Sequence, residues 1–396
     1  MRLQLSEEEL ANHREKVRAK MEEKELDLLC LFGPRNVFYL TGLYLIQTER
    51  PAGLLFDGEE TTAFVPLLEK EHVQELGGVD GIVSYDEYPG RKHPMKRLAG
   101  EIEEIGPKRV GVDSDGYGGG YGYEGPGLSE LLEPEIEEIP RLIEGMMQVK
   151  SEEEIQLIRE SVRWGNLAHR YLQDYTEPGK TENEISTMAS LDASRAMLKT
   201  LGEDYYSPKG ATTPASAGFR GQVGAGSAIP HALTSNATIE EGDVLVTGAS
   251  AQVGGYTSEL ERTMLVGKPT AKQAKFFELM VQAGELAISE IRPGAKFAEV
   301  DEAVLEFYRE NELEEYWRHH TGHAIGFAGH EAPYFDRGDE REMEAGMVVT
   351  VEPGIYVPDF AGFRHSDTVL ITEEGAEVLT YYPRDLESMT ISDKCS

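Results

Sequence analysis

Cysteine is almost missing from this chain: Cys30 and Cys395 are the only two among 396 residues. One lies in an apolar run and the other at the extreme C-terminus, which argues against a disulfide framework or a thiolate metal site. Long apolar runs are missing as well. No stretch reaches the ~18 uninterrupted apolar residues of a membrane helix. The charged opening MRLQLSEEELANHREKVRAKM has no signal-peptide core behind it, so a cytoplasmic protein is expected. Basic residues are scarce, with 38 Lys and Arg against 72 Asp and Glu and a formal net charge of −34. Such a surface repels nucleic acid and anionic membranes, so neither is expected as a partner. The acidic residues are spread along the chain instead of forming a disordered tail. This reads as adaptation to a salt-rich cytoplasm, where screening relieves the self-repulsion.

What remains is the composition of a folded protein, 40% hydrophobic and 8% aromatic. The length exceeds the ~250–300 residues that one core serves, so two domains are expected. Over residues 1–150, an opening helix from Glu7 to about Glu23 precedes the apolar run LDLLCLFGP. NVFYLTG, AGLLFDG and TTAFVP follow as short strand-like segments. EKEHVQEL and HPMKRLAGEIEEI have helical patterns and KRVGVD is a further strand, which together predict a smaller α/β domain. A boundary falls near Lys150, where Ser151 and Glu154 form a capping box ahead of a long amphipathic helix. Over residues 151–396, GDVLVTGASAQVGGYTSELERTMLVG alternates like two antiparallel strands about a Gly-Gly turn. Helical segments and the strand-rich MVVTVEPGIYV and SDTVLITEEGAEVLT surround it, predicting an α+β domain with helices on an antiparallel sheet.

Three stretches narrow this further: HHTGHAIGFAGHEAP at 319–333, VEPGIYV around Glu352, and YTSELERT at 256–263. In this order and spacing the chain resembles the creatinase/aminopeptidase family of prolidases, Xaa-Pro and methionine aminopeptidases and creatinases. The resemblance covers almost the whole chain. It implies a "pita-bread" C-terminal domain preceded by a creatinase-type α/β domain. Metallopeptidase members hold two ions with two Asp, one His and two Glu. Matched position by position, the first Asp falls on Gly248, the second on Glu259, the His on His323, the first Glu on Glu352 and the last Glu on Ser366. With two carboxylates gone, no metal is expected. If one ion of Mn, Co or Zn is bound, Glu259, His323 and Glu352 are its ligands.

Glu261 is a carboxylate where the peptidases usually have Thr, and two residues along a strand share a face, so it joins Glu259 there. The segment is similar to the Y-T-A-L-E-R-T of creatinases, which implies that Glu261 and Glu352 clamp a guanidinium or amidinium by paired, charge-assisted hydrogen bonds. The alternative is a structural partnership of Glu261 with Arg262 or another base. His231, in AIPHALTSN, matches the creatinase general acid/base, and His323 would hydrogen-bond the substrate or stabilise the tetrahedral intermediate. The resemblance further implies that Glu259, His319, His330 and Tyr334 bind substrate, and that Arg50 reaches it from the partner in a homodimer with shared sites. The expectation is thus a metal-independent hydrolase of a carbon–nitrogen bond in a small cationic substrate. An Xaa-Pro dipeptidase or aminopeptidase with a reduced metal site, and an inactive binding protein of the same fold, stay open.

Overall fold

A computed structural model describes residues 3–392, and Cys395 lies outside the described residues. The chain divides into two compact units, Leu5–Met147 and the remainder from Gln148 onward together with the first residues. The N-terminal unit is built on a six-stranded sheet. Its order is Gly81–Tyr85, Thr61–Pro66, Gly53–Phe56, Leu28–Leu31, Arg109–Val112 and Glu135–Glu138. Pairing is antiparallel among the three strands from Leu28 to Pro66 and parallel at both flanks. Each face buries its own apolar cluster, as a covered α/β sheet requires. Cys30, buried in the strand Leu28–Leu31, is free.

One segment differs from the expectation. NVFYLTG is the greater part of a helix, Pro34–Thr41, and not a strand. Its residues from Asn36 to Thr41 are all buried, so the polar–apolar alternation that separates strand from helix is absent. The decisive signals are the punctuation marks: Pro34 in the first turn and Gly42 in the left-handed region just past the end.

The C-terminal unit carries an antiparallel sheet. Its path runs Glu331–Phe335, Gly322–Ala324, Val348–Val351, Ser366–Thr372, Leu260–Val266, Val244–Val253, Ala215–Gly218. Ser151 and Glu154 cap the helix Glu152–Tyr175 reciprocally. This helix packs on Val244–Val253 and Ala215–Gly218. There His169 Nε2 meets Thr247 Oγ1 at 2.7 Å, so Thr247 points to the helix-covered face. Arg262 lies opposite Thr247 in register and shares that face. The neighbouring row must point the other way, and it contains Gly248, Glu261 and Ser366. A small hairpin, Gly354–Val357 with Ala361–Arg364, adds Tyr356 and Arg364. Among the described residues no helix is long and apolar enough to cross a membrane.

Candidate active site

In register, Glu261 sits opposite Gly248 on one neighbouring strand and opposite Ser366 on the other. The two positions where the family resemblance leads one to expect carboxylates, Gly248 and Ser366, therefore flank Glu261. The buried Glu261 carboxylate is already taken: Oε1 accepts from Arg220 Nη2 and Oε2 from Arg364 Nε. The Arg220 guanidinium lies over Gly248, where a Cβ would meet its Cζ at 3.3 Å and Glu261 Oε1 at 3.4 Å. Arg262 points away from this row and pairs with Asp367 at 2.8 Å, as strand alternation dictates.

Arg364, 4% exposed, links Glu261 to a second chain of bonds. Its Nη1 donates to Tyr356 Oη at 2.9 Å, and its Nε lies 3.9 Å from Glu352 Oε2. His319 Nδ1 faces the His320 carbonyl at 2.8 Å and must donate to it, since a carbonyl only accepts. His319 Nε2 therefore accepts a 2.8 Å hydrogen bond from the Tyr356 hydroxyl. Burial keeps the His319 pKa below its ordinary value, in keeping with this neutral tautomer.

His323 is fully buried, and by the same reasoning its Nδ1 donates to the Ala324 carbonyl at 3.0 Å. Its Nε2 has no hydrogen-bond partner among the described residues, although Glu352 Oε1 stands 3.2 Å away. A lone pair facing a carboxylate calls for a proton or a cation between them. Burial opposes charge on this imidazole, yet Glu352 and Glu259 outweigh it and raise its pKa to about 9. Burial and the neighbouring Glu352 and Glu261 push Glu259 up to about 8. Burial would raise Glu352 too, but His323 and Arg364 hold it down near 2. Glu259 Oε1 accepts a 2.7 Å hydrogen bond from Ser366 Oγ.

The other expected site residues are distributed unevenly. His330 stacks on His323 with ring centroids 3.7 Å apart. Tyr334 lies opposite His323 across the strand pair and packs beside His320. His231 is exposed on its loop and close enough for its charge to bear on His330. Arg50 belongs to the N-terminal unit, where Glu87 at 2.6 Å and Glu49 hold its guanidinium. Sequence reasoning missed Arg220, Arg364 and Tyr356. Tyr356 stands inside the quoted segment VEPGIYV and Arg364 two residues before Ser366, whereas Arg220 carries no local signal.

The residues fit one divalent ion. Glu259, His323 and His330 bring ligand atoms within 4.8 Å of one another, and Glu352 adds its carboxylate beside His323. A nitrogen-and-carboxylate set of this kind suits a first-row divalent ion. Glu259, Glu261 and Glu352 form a second close group, yet a full set of ligands for a pair of ions is not there among the described residues. Gly248 offers no ligand, Ser366 offers a hydroxyl bound to Glu259, and both Glu261 oxygens are held by guanidinium groups.

Comparison with known proteins shows the family. Metallopeptidase family M24 matches residues 156–373 and the creatinase/prolidase N-terminal domain matches residues 13–120. The chain is 30% identical to an Xaa-Pro dipeptidase of Pyrococcus furiosus over 380 residues, 94% of this chain and 98% of that protein. It is also similar to a solved Xaa-Pro dipeptidase from Bacillus anthracis, at 26% identity and a TM-score of 0.80 over 95% of this chain and 99% of that one. The prolidase structure from Pyrococcus horikoshii gives 28% identity and a TM-score of 0.79, covering 95% and 99%. These likenesses overturn two expectations: a metal-independent hydrolase of guanidino or amidine compounds, and a site without a metal. The physical reason is visible at Glu261. Its slots for a planar cation are filled by the protein's own Arg220 and Arg364, so it does not clamp a substrate cation.

Proposed function

The chain belongs to metallopeptidase family M24, and on that premise we propose that it is a metal-dependent peptidase that hydrolyses small Xaa-Pro peptides. The observation that carries this reading is the convergence of Glu259, His323 and Glu352 around Nε2 of His323, which faces Glu352 Oε1 at 3.2 Å without an aligned hydrogen bond. These three residues, with His330 beside them, would hold one divalent ion. When bound, such an ion polarises a scissile carbonyl and lowers the pKa of a water to near neutrality.

The chain's own groups have separable tasks. The Ala324 carbonyl fixes the His323 tautomer, so that Nε2 faces the site. Arg364 holds Glu352 and Tyr356 in place, and Tyr356 anchors His319 by donating to its Nε2. His231, exposed on its loop, delivers a proton to the leaving nitrogen, general acid work being a common role of an imidazole. Tyr334, opposite His323 across the strand pair, and His319, anchored by Tyr356, would contact the substrate.

Two broader readings accompany this one. In a homodimer, Arg50 exchanges Glu87 for the substrate carboxylate in the neighbouring subunit's site. The excess of acidic residues adapts the protein to a salt-rich cytoplasm. The decisive test is hydrolysis of a dipeptide panel by chelator-treated protein resupplied with Mn, Co or Zn. Xaa-Pro cleavage that vanishes with chelator and returns with the ion is expected. Failure to cleave any Xaa-Pro peptide with every ion tried would refute the proposal.

A further inference from the structure

The row of the sheet that should complete a two-ion centre is complete in another way. Gly248, Glu261 and Ser366 stand side by side across three strands. At Gly248 the missing side chain leaves room that the Arg220 guanidinium fills, at 3.3 Å from the position of an added Cβ. Arg220 is held there with a left-handed backbone, φ 54°, a conformation that non-glycine residues seldom adopt without support from their surroundings. Its side chain is still 52% exposed, so the charge is presented outward and not merely buried. At Ser366 a neutral hydroxyl donates to Glu259 Oε1, occupying an oxygen that could otherwise bridge two ions. Glu261, between them, spends both oxygens on Arg220 and Arg364.

We propose that the Arg220 guanidinium takes the place of one of the two metal ions, so that the chain works with a single divalent ion beside a built-in organic cation. The charges agree with this. Glu259, Glu261 and Glu352 against Arg220 and Arg364 leave one negative charge when all are ionised, and one divalent ion turns that into one positive charge. A second ion would raise it to three positive charges in a site that offers no further carboxylate among the described residues. Arg is the residue suited to this duty, since it stays protonated at any physiological pH and its planar fork matches a carboxylate. The loss of Asp at Gly248 and the gain of Glu at Glu261 become one linked exchange: a ligand is removed, and a cation with its own counter-charge moves in.

The inference rests on the metal-peptidase reading and is tested without turnover, by equilibrium dialysis against Mn²⁺ with bound ion counted per chain. Three proteins are compared: the wild type, Arg220→Met, and the triple variant Gly248→Asp, Arg220→Met, Ser366→Glu. The wild type is expected to bind one ion. Arg220→Met should bind Mn²⁺ at least tenfold more tightly, because a positive charge beside the ion is removed and a Glu261 oxygen is freed. The triple variant should bind two. If the triple variant fails to fold, the single variant decides. Two ions in the wild type, or unchanged or weaker binding by Arg220→Met, would overturn the inference while leaving an Xaa-Pro peptidase intact. No Mn²⁺ bound by the wild type would overturn both.

Discussion

Replacing Glu261 by Gln removes one charge and almost no volume, which isolates the carboxylate's electrostatic duty. Arg364, 4% exposed, would keep its charge with only Glu352, 3.9 Å from its Nε, to answer it. Breaking a buried ion pair by removing one partner costs about 3–5 kcal/mol, because the other charge stays buried and uncompensated. Glu352 softens that cost, so the lower end, about 3 kcal/mol, is expected for the Arg364 side. Arg220 adds no more than about 1 kcal/mol, since its half-exposed guanidinium recovers solvation. For a unit of this size, each kcal/mol lowers Tm by about 2–4 °C, giving a drop of roughly 6–16 °C. Trp164 and Trp317 are the only tryptophans and both lie in the C-terminal unit, so their fluorescence follows this unit selectively. As a control, replacing both Glu261 and Arg364 by Leu and Met should recover part of the loss, because no orphan charge remains. A loss below about 1 kcal/mol for Glu261→Gln would mean that the carboxylate is not committed to Arg364, and the assignment of its oxygens would be wrong.

Other consequences are equally measurable. His323→Ala should weaken Mn²⁺ binding by at least about a hundredfold, beyond what loss of a supporting contact does; unaltered ion affinity in dialysis would remove His323 from the ligand set. His231→Ala should lower kcat by about 10²–10⁴-fold with ion occupancy retained, and wild-type turnover would exclude it as the proton donor. Burial, with Arg262 nearby, depresses the His365 pKa to about 3. Its Nδ1 accepts from the Thr263 N–H while its Nε2 donates to the Arg384 carbonyl, a neutral tautomer. Between pH ~6.5 and about 3 the unfolded chain binds a proton here that the folded chain does not. Stability therefore falls with falling pH by up to about 1.4 kcal/mol per unit from this group alone. Urea titrations of His365→Gln should show a shallower slope in that window, and an identical slope would contradict the buried neutral imidazole. Raising KCl from 0.1 to 2 M should raise Tm as the Debye length shrinks from about 10 Å to below 3 Å; a flat or falling Tm would count against salt adaptation.

Much of this protein is legible along the chain. Motifs containing Glu259, His323 and Glu352 keep their order and spacing, and they carry the family and the architecture. The Ser151–Glu154 capping box and the Gly254-Gly255 turn are local, so their consequences can be read locally. Strand periodicity alone places Glu259 and Glu261 on one face, and the motif match alone shows that Gly248 and Ser366 cannot ligate as carboxylates. The helix Pro34–Thr41 escaped because a fully buried segment has no periodicity to read, only its Pro and Gly boundaries. The reading of Glu261 failed for a different reason. Its partners are 41 residues upstream at Arg220 and 103 residues downstream at Arg364. Sequence determines which groups a strand presents to a face. Which opposite charge arrives there first depends on chain segments brought together only by the folded sheet and its neighbouring hairpin. For a buried carboxylate that difference decides everything, because low-dielectric surroundings demand a counter-charge without specifying whether substrate, metal or the protein itself provides it.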